Sequence, residues 1–504
     1  MTQLAFVIDQ GRCIGCHACT VACKVEHGIE LGVFRTWVKY VETGQFPDAR
    51  RHFAVLRCNH CTNPPCVSVC PVSALFKRVD GIVDFDPERC VGCKACMQAC
   101  PYDALYVDPS SSTVAKCNFC AHRVELDLKP SCEIACPAAA IISGDRDDPE
   151  SELSRLLDTV PSAVRAAEQG TGPNVYYVEA NLAALDPLAA GGGLAYLTTQ
   201  VPPSQREKLV ALSDDSIAIV TGDVAHPPPW GWKVSSYFVS KGVAAGAMML
   251  AALLSVISSG SRLTSAALGA LALAAIAVTG ALLVWDLARP RRFYYLLTKP
   301  QGGSWLTRGV LVITAAAVLA VAFTVAASFG WRDGRDGLRW ALLPAGVLLA
   351  GYTALLFNQC EGRDLWQSPL LPAHTIVAAL LAGAAGLAIL ASVIPAPAAV
   401  SRALAWTLVL GAAISAVAIA RDTFGRFPTR QAERAARNLY RGRFARRLWL
   451  GGALLGLVVP AALAGAYVAL RGNGLLAAAG VCALIGLWFY EDAWVRAGQS
   501  VPLS

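Results

Sequence analysis

The sequence predicts two unlike halves: an α+β domain of short strands built around clustered cysteines, and an all-α membrane bundle of eight transmembrane helices. Three observations predict this division. Of 18 cysteines, all but Cys360 and Cys482 fall between Cys13 and Cys136. Beyond residue 230, apolar segments recur that are long enough to cross a bilayer, about 20 residues each. The mean hydropathy of +0.46, with only 16% charged residues, is too high for a soluble chain of 504 residues. That length also exceeds what one core accommodates. The expected boundaries are a cysteine-rich domain over 1–186, a linker over 187–229 and a membrane domain over 230–504.

The cysteines form four quartets. The first is Cys13-x2-Cys16-x2-Cys19-x3-Cys23. The second is Cys58-x2-Cys61-x4-Cys66-x3-Cys70-Pro71. The third is Cys90-x2-Cys93-x2-Cys96-x3-Cys100-Pro101, and the fourth Cys117-x2-Cys120-x11-Cys132-x3-Cys136-Pro137. Disulfide frameworks belong to small secreted chains. Residues 1–9 contain no basic stretch followed by an apolar one, and no twin arginine precedes Cys13, so no export signal is expected. The thiols therefore read as metal ligands. Structural zinc uses two separated Cys-x2-Cys pairs. Three closely spaced thiolates wrap one iron–sulfur cubane, and the distal Cys-Pro reaches a neighbouring cluster. The repeated pattern fits iron–sulfur clusters, not zinc.

Short apolar runs at 81–85 and 104–107 read as strands flanking the cysteine loops, in the manner of a ferredoxin fold. His17, His60 and His122 lie within the quartets. With full thiolate sets they are expected to donate hydrogen bonds near sulfur or to face solvent. Lys24, Arg57, Lys77, Arg78, Lys94, Lys116 and Arg123 offset cluster charge, dock a partner, or are simply surface residues. The net charge of +7 resides largely in arginines beside the apolar segments, so no nucleic-acid partner is expected.

Spacing alone does not settle which quartet pairs with which. The run from Cys13 to Asp145, with CNHCTNPPCVSVCP, CVGCKACMQACPYDAL and KCNFCAHRVELDLKPSCEIACP, resembles the four-cluster electron-transfer subunit of the DMSO reductase/polysulfide reductase family. The resemblance implies a ferredoxin-like double-dicluster domain. It also implies that the first quartet pairs with the fourth and the second with the third. One cluster would then be held by Cys13, Cys16, Cys19 and Cys136, and its partner by Cys117, Cys120, Cys132 and Cys23. Another would be held by Cys58, Cys61, Cys66 and Cys100, and the last by Cys90, Cys93, Cys96 and Cys70. Some relatives replace one ligand and carry a [3Fe–4S] cluster. Here every such position is Cys, which implies four [4Fe–4S] clusters.

Residues 147–158 are acidic and suit a short amphipathic helix, and 174–178 reads as a strand. Gly191-Gly192-Gly193, Pro202-Pro203 and Pro227-Pro228-Pro229 mark the linker. Eight spans follow, at 234–257, 264–286, 306–329, 338–358, 373–394, 401–420, 448–470 and 474–490. They are apolar on all sides, as lipid-facing helices are. Arg289, Arg291, Arg292, Arg363 and the arginine-rich 421–447 loop fall on the side of the cysteine domain. The opposite loops carry only Arg262, Arg332, Arg335, Arg339, Arg402 and Arg471. The positive-inside rule then places the cysteine domain in the cytoplasm, on the cell inner membrane.

Trp230-Gly231-Trp232, Asp286-Leu287-Ala288-Arg289-Pro290-Arg291-Arg292-Phe293 and Gly362-Arg363-Asp364-Leu365-Trp366 resemble the NrfD-type (polysulfide reductase) membrane subunit. That family has eight helices and exchanges electrons with quinone. The two subunits, usually separate polypeptides, are here fused. Ionisable residues in or beside spans mark the candidate quinone region: Lys241, His374, Tyr237, Asp286, Glu361 and Arg363. For Lys241 the plainer reading is snorkelling or pairing with an acidic neighbour. For Asp286 it is an ion pair with Arg289, and for Tyr237 an interfacial anchor. Carboxylates are expected only at span ends, which argues against proton pumping.

The expected role is the electron-transfer and anchor subunit of a respiratory complex. Quinone and a separate molybdopterin-containing catalytic subunit are the implied partners. The alternatives are the equivalent subunit of a hydrogenase or formate dehydrogenase complex, or a redox-linked membrane sensor or transporter. Midplane carboxylates and broken helices, which a transporter would show, are missing from the sequence pattern.

Overall fold

A computed structural model describes residues 2–44, 47–191, 218–257 and 262–504. The chain forms two units. The first comprises Met1–Pro227 with Cys360–Gly362 and Pro502–Ser504, and the second Pro228–Gln359 with Arg363–Val501.

In the first unit the strands are β1 (Leu4–Asp9), β2 (Thr36–Thr43), β3 (Arg50–Arg57), β4 (Leu75–Lys77), β5 (Val83–Phe85), β6 (Leu105–Val107), β7 (Val114–Lys116), β8 (Ile141–Asp145), β9 (Ser162–Ala163), β10 (Val175–Val178), β11 (Ala190–Gly191) and β12 (Ala218–Gly222). One sheet has the order β8-β1-β10-β9 and the other β11-β12-β2-β3. The unbroken apolar run of β1 suits a strand covered on both faces. Phe6 and Ile8 enter a core shared with Trp37, Val41 and Leu56 of the second sheet. Ala5 and Val7 point the other way, onto Leu153, as the two-residue period of a strand requires.

Two helices of this unit matter to the site. Helix α1 (Ala18–His27) carries Cys19 and Cys23. Helix α2 (Glu152–Thr159) brings Leu153 onto the first sheet, and its N-terminus is capped by Ser151 accepting from Ser154 N at 3.0 Å. The hairpins β4–β5 and β6–β7 each connect a Cys-Pro to the next quartet. The expected strands at 81–85, 104–107 and 174–178 are present, and α2 falls in the acidic stretch. The linker expectation is corrected in part. Residues 190–191 and 218–222 are strands paired into the second sheet. Gly192, Gly193, Pro202 and Pro203 lie outside the described residues.

Among the described residues of the second unit, eight helices are long and apolar enough to cross a membrane. They are α3 (Trp232–Ile257), α4 (Arg262–Asp286), α5 (Trp305–Phe329), α6 (Arg332–Asn358), α7 (Leu371–Leu390), α8 (Ala398–Phe424), α10 (Arg447–Leu470) and α11 (Asn473–Gly498). The amphipathic α9 (Arg430–Tyr440) lies in the arginine-rich loop and buries Ala432, Ala435, Ala436 and Leu439. Helix α10 begins as a π-helix over Arg447–Val458. The expected spans match these helices, except that the fourth begins earlier and the eighth continues to Gly498. Glu491 and Asp492, expected at a helix end, therefore lie inside α11. Polar partners explain the extension: Asp492 accepts from Arg496 at 2.9 Å and from Ser235 at 3.3 Å.

Helix α3 is the most enclosed span. Its small-residue face lets backbones meet, as in membrane bundles generally. A Cβ on Gly246 would overlap the Ala379 carbonyl, and one on Gly383 would overlap the Gly246 backbone. Gly456 and Gly486 make the same kind of crossing between α10 and α11.

This packing is open to test. Gly383→Val should destabilise the bundle by about 1–3 kcal/mol or more, read as a loss of monodisperse protein in detergent. Gly280→Val, whose Cβ meets nothing within 4 Å, should leave it intact. A second test concerns Glu26 of α1, which accepts from Ser131, from His122 at 2.7 Å and from Arg123 at 3.2 Å. The Ser131 and His122 hydrogen bonds hold its carboxyl down at about 2, against an ordinary value of about 4.3. A depressed folded value stabilises above the unfolded value, and the gain is lost as pH falls toward 2. Glu26→Gln should thus cost about 1 kcal/mol or less at pH 7. Unfolding curves of variant and wild type should converge as the pH is lowered from about 4.3.

Candidate functional site

The tight cysteine loops share one backbone device. Gly15 and His17 have φ of +70° and +60°, and Gly92 and Lys94, at the same offsets from Cys90, have +69° and +64°. Left-handed residues alternating with right-handed ones turn successive N–H groups toward a common anion. Backbone amides accordingly reach sulfur. Ala74 N donates to Cys70 Sγ at 3.2 Å, Ala140 N to Cys136 Sγ at 3.3 Å and Val114 N to Cys90 Sγ at 3.5 Å.

Strand pairing supplies what spacing leaves open. In the β1–β8 ladder Ile8 is opposite Ile141 and Leu4 opposite Asp145. The segment leaving β1 toward Cys13 therefore runs beside the segment arriving at β8 from Cys136. Cys13, Cys16, Cys19 and Cys136 line one cavity of about 320 Å³. Cys70, Cys90, Cys93 and Cys96 line another of about 380 Å³. Cys23 neighbours Cys117, Cys120 and Cys132, and Cys100 neighbours Cys58, Cys61 and Cys66. These are the same four sets that the resemblance implies. Successive sets also adjoin: Cys19 and Cys132 interact, as do Cys117 and Cys58, and Cys96 and Cys66.

The donor set fits iron–sulfur clusters. Burial, with neighbouring thiols adding to it, pushes Cys61, Cys93 and Cys100 up to about 12. Thiols in such surroundings ionise when a cation replaces the protons, which iron does. All 18 cysteines are free of disulfides. Among the described residues no three His, Cys, Asp or Glu side chains converge as ligands of a single ion would. In two of the sets the thiols ring a space instead.

Several charges expected at the surface are buried. Arg57 is 1% exposed and Lys116 0%. Arg57 Nη1 donates to Cys132 Sγ at 3.1 Å, while Lys116 Nζ donates to the carbonyls of Cys117, at 2.9 Å, and Val83. His60 is buried too. Its Nδ1 accepts from Val83 N at 3.1 Å, and burial, with Lys116 and Arg57 nearby, holds it well below the ordinary range. His27, which no sequence signal singles out, lies 3.3 Å from Cys120 Sγ. Burial, aided by Arg35, holds it at about 4.

Within the second unit, Lys241 of α3 is buried. Its Nζ donates to Thr353 Oγ1 at 2.6 Å and to the Ala350 carbonyl at 3.0 Å, with the rings of Phe238 and Tyr352 each 5.2 Å away. Glu491 of α11 interacts electrostatically with both Lys241 and His374. His374 Nδ1 is 3.6 Å from Asp422 Oδ2, and its ring is 5.5 Å from that of Tyr490. Lys241 and His374 thus belong to one polar group drawn from α3, α6, α7, α8 and α11. The Lys241 amine is buried and donates to α6, which is not the geometry of a side chain snorkelling to an interface.

The other candidates are placed elsewhere. Tyr237 is buried one helical turn before Lys241, and Asp286 ends α4. Arg363 is buried, with Nη1 donating to the Val501 carbonyl at 3.1 Å. Glu361 belongs to the first unit and is exposed, with partial desolvation raising its carboxyl above the ordinary range. Thr353 and Tyr352 escape sequence reasoning. They are ordinary residues of an apolar span, and only the packing of α6 against α3 exposes their role.

The sequence matches a 4Fe–4S dicluster domain over residues 50–146 and the family described as polysulphide reductase, NrfD over residues 223–501. The dicluster match covers the last three quartets. The sequence is 44% identical over 190 residues to the B subunit of tetrathionate reductase from Salmonella typhimurium, covering 37% of this chain and 76% of that one. It is 40% identical over 200 residues to the B subunit of sulfite dehydrogenase from Allochromatium vinosum, covering 35% and 83%. The B polypeptide of polysulfide reductase from Wolinella succinogenes is 40% identical over 179 residues, covering 35% and 94%. With the second family model spanning more than half of its sequence and its relatives matched over most of their own length, this protein belongs to the NrfD polysulfide reductase family, carrying a 4Fe–4S electron-transfer domain and a multi-pass membrane domain on one polypeptide.

Proposed function

We propose that this protein is the electron-transfer and membrane-anchor subunit of a respiratory oxidoreductase. It would carry electrons through four [4Fe–4S] clusters between a separate molybdopterin-containing catalytic subunit and membrane quinone. The observation that carries this reading is the arrangement of sixteen thiols in four adjoining sets, each completed by a cysteine from a different quartet. Such sets in series make a wire. The adjoining pairs give its order: Cys13/Cys16/Cys19/Cys136, then Cys23/Cys117/Cys120/Cys132, then Cys58/Cys61/Cys66/Cys100, then Cys70/Cys90/Cys93/Cys96. The relatives' names speak of subunits of reductases and a dehydrogenase acting on sulfur compounds, which supports a catalytic partner on another polypeptide.

At the quinone end, Lys241 supplies a fixed donor for a quinone oxygen. The pair His374–Asp422 takes or delivers the proton that accompanies each electron, with Glu491 between the two. The arginine distribution supports a cytoplasmic cluster domain in the cell inner membrane. That side favours a quinone-reducing dehydrogenase. Proton exchange then occurs at one membrane face, without pumping.

Anaerobically purified protein should contain about 16 iron and 16 acid-labile sulfide per polypeptide. A content near half of that would overturn the four-cluster reading. Lys241→Ala should slow quinol-driven reduction of the clusters by about tenfold or more, a loss of about 1.4 kcal/mol of transition-state stabilisation, while chemical reduction by dithionite stays unchanged. In sealed vesicles, electrogenic proton movement during turnover would contradict one-sided proton exchange.

A further inference from the structure

We propose that Arg57 sets the reduction potential of the first two clusters of the wire, its buried guanidinium donating to the sulfur of one and lending positive charge to both. The inference rests on the four-cluster reading.

Arg57 ends β3 immediately before Cys58, a place where a charged residue usually faces solvent. Here it is enclosed, lying over the Phe6 ring with its guanidinium carbon 4.4 Å from the centroid. Nη1 donates to Cys132 Sγ, a member of the second set. The charges acting on it are those of Cys132 and Cys117 from that set and Cys19 from the first. Among the described residues no carboxylate pairs with it, and its Nε and Nη2 are buried without any partner. A guanidinium is permanently ionised, with five donors and no acceptor. Buried, it needs acceptors, and the atoms nearest to it here are thiols of two sets and not backbone carbonyls. Thiolate and inorganic sulfide are the acceptors that an iron–sulfur site offers.

Lys116, the other buried cation nearby, differs in kind. Its amine is satisfied by the carbonyls of Val83 and Cys117, so it contributes charge without a bond to sulfur. Reduction adds negative charge to a cluster. A buried cation that also donates to its sulfur favours the reduced form and raises the potential, since net charge and hydrogen bonds to sulfur are the levers a protein has. The second cluster gains most, and the first a smaller share through Cys19. The third set, whose Cys58 follows Arg57 directly, and the fourth accept no hydrogen bond from it among the described residues.

The test is a redox titration followed by EPR on the intact, anaerobically purified protein, comparing wild type with Arg57→Gln and Arg57→Lys. Iron and sulfide are measured on the same samples. With iron retained, Arg57→Gln should shift the second cluster to lower potential by at least about tenfold in its reduction equilibrium, about 59 mV for one electron. The first cluster should shift less, and the fourth should hold its value. Arg57→Lys, which keeps the charge, should recover most of the shift. Unmoved potentials in Arg57→Gln overturn the proposal. If that variant loses iron, wild-type protein labelled with guanidino-¹⁵N arginine decides. The reduced second cluster should show a ¹⁵N hyperfine coupling, and its absence overturns the proposal. Failure of the four-cluster reading is distinguished beforehand, by a low iron content in the wild type.

Discussion

The first unit depends on one ladder, the antiparallel pairing of Leu4–Ile8 with Ile141–Asp145. It closes a loop of more than a hundred residues and sets the exit toward Cys13 beside the approach from Cys136. The same strand sends Phe6 into the core, where it stacks on Phe119 with centroids 4.0 Å apart. Phe119 lies between Cys117 and Cys120, so β1 positions thiols of two sets at once. None of the four sets is local. Each borrows a ligand from another quartet, so fold and ligand geometry form together. Metal binding of this kind contributes directly to folding free energy.

The bundle is held by different forces. Lipid is as apolar as leucine, so burying side chains between spans gains little, and close backbone packing with polar contacts must hold them together. The Gly246–Gly383 crossing brings α3 against α7, and the Lys241 donors bind α3 to α6. Close packing and a buried polar group therefore coincide at α3. The helix that other spans enclose most completely carries the buried Lys241.

Much of this is legible in the sequence because it is written at short range. Cysteine spacing, Cys-Pro pairs, helix-length apolar runs and the Trp230-Gly231-Trp232 entry each depend on residues that are near neighbours. Quartet pairing is not legible from spacing, since it depends on which strands adjoin across the fold. The linker misleads in part because residues 218–222 become a strand only through β2, far earlier in the sequence. Arg57 and Lys116 look like surface residues for a related reason. Local composition says a cation is usually solvated, and only the tertiary fold supplies the acceptors that make burial tolerable, a thiol for Arg57 and the Val83 and Cys117 carbonyls for Lys116. Glu491 looks like a helix end because hydropathy stops at charge, whereas α11 continues with Asp492 paired to Arg496 one turn on and to the distant Arg447 of α10.

The fused polypeptide also gives the first unit something that separate subunits would lack. Residues 502–504 belong to it: the carbonyl of Leu503 accepts from Arg165 Nη2 at 2.7 Å, and that of Ser504 from Lys39 Nζ at 2.9 Å. Both cations are buried, and burial draws the Lys39 amine down to about 8. Residues 360–362 belong to it as well. Gly362 N donates to the Ala99 carbonyl at 3.1 Å, and a Cβ at Gly362 would lie 2.6 Å from the Cys100 carbonyl. A buried ammonium or guanidinium without acceptors is strongly destabilising. Arg165 has the Leu185 carbonyl within the cluster domain, at 3.3 Å, but the acceptors at Leu503 and Ser504 arrive only after all eight spans have been made, although the thiol sets are complete by Cys136. Residues 502–504 thus tie two buried cations of the cysteine domain to a segment that follows the membrane spans in sequence.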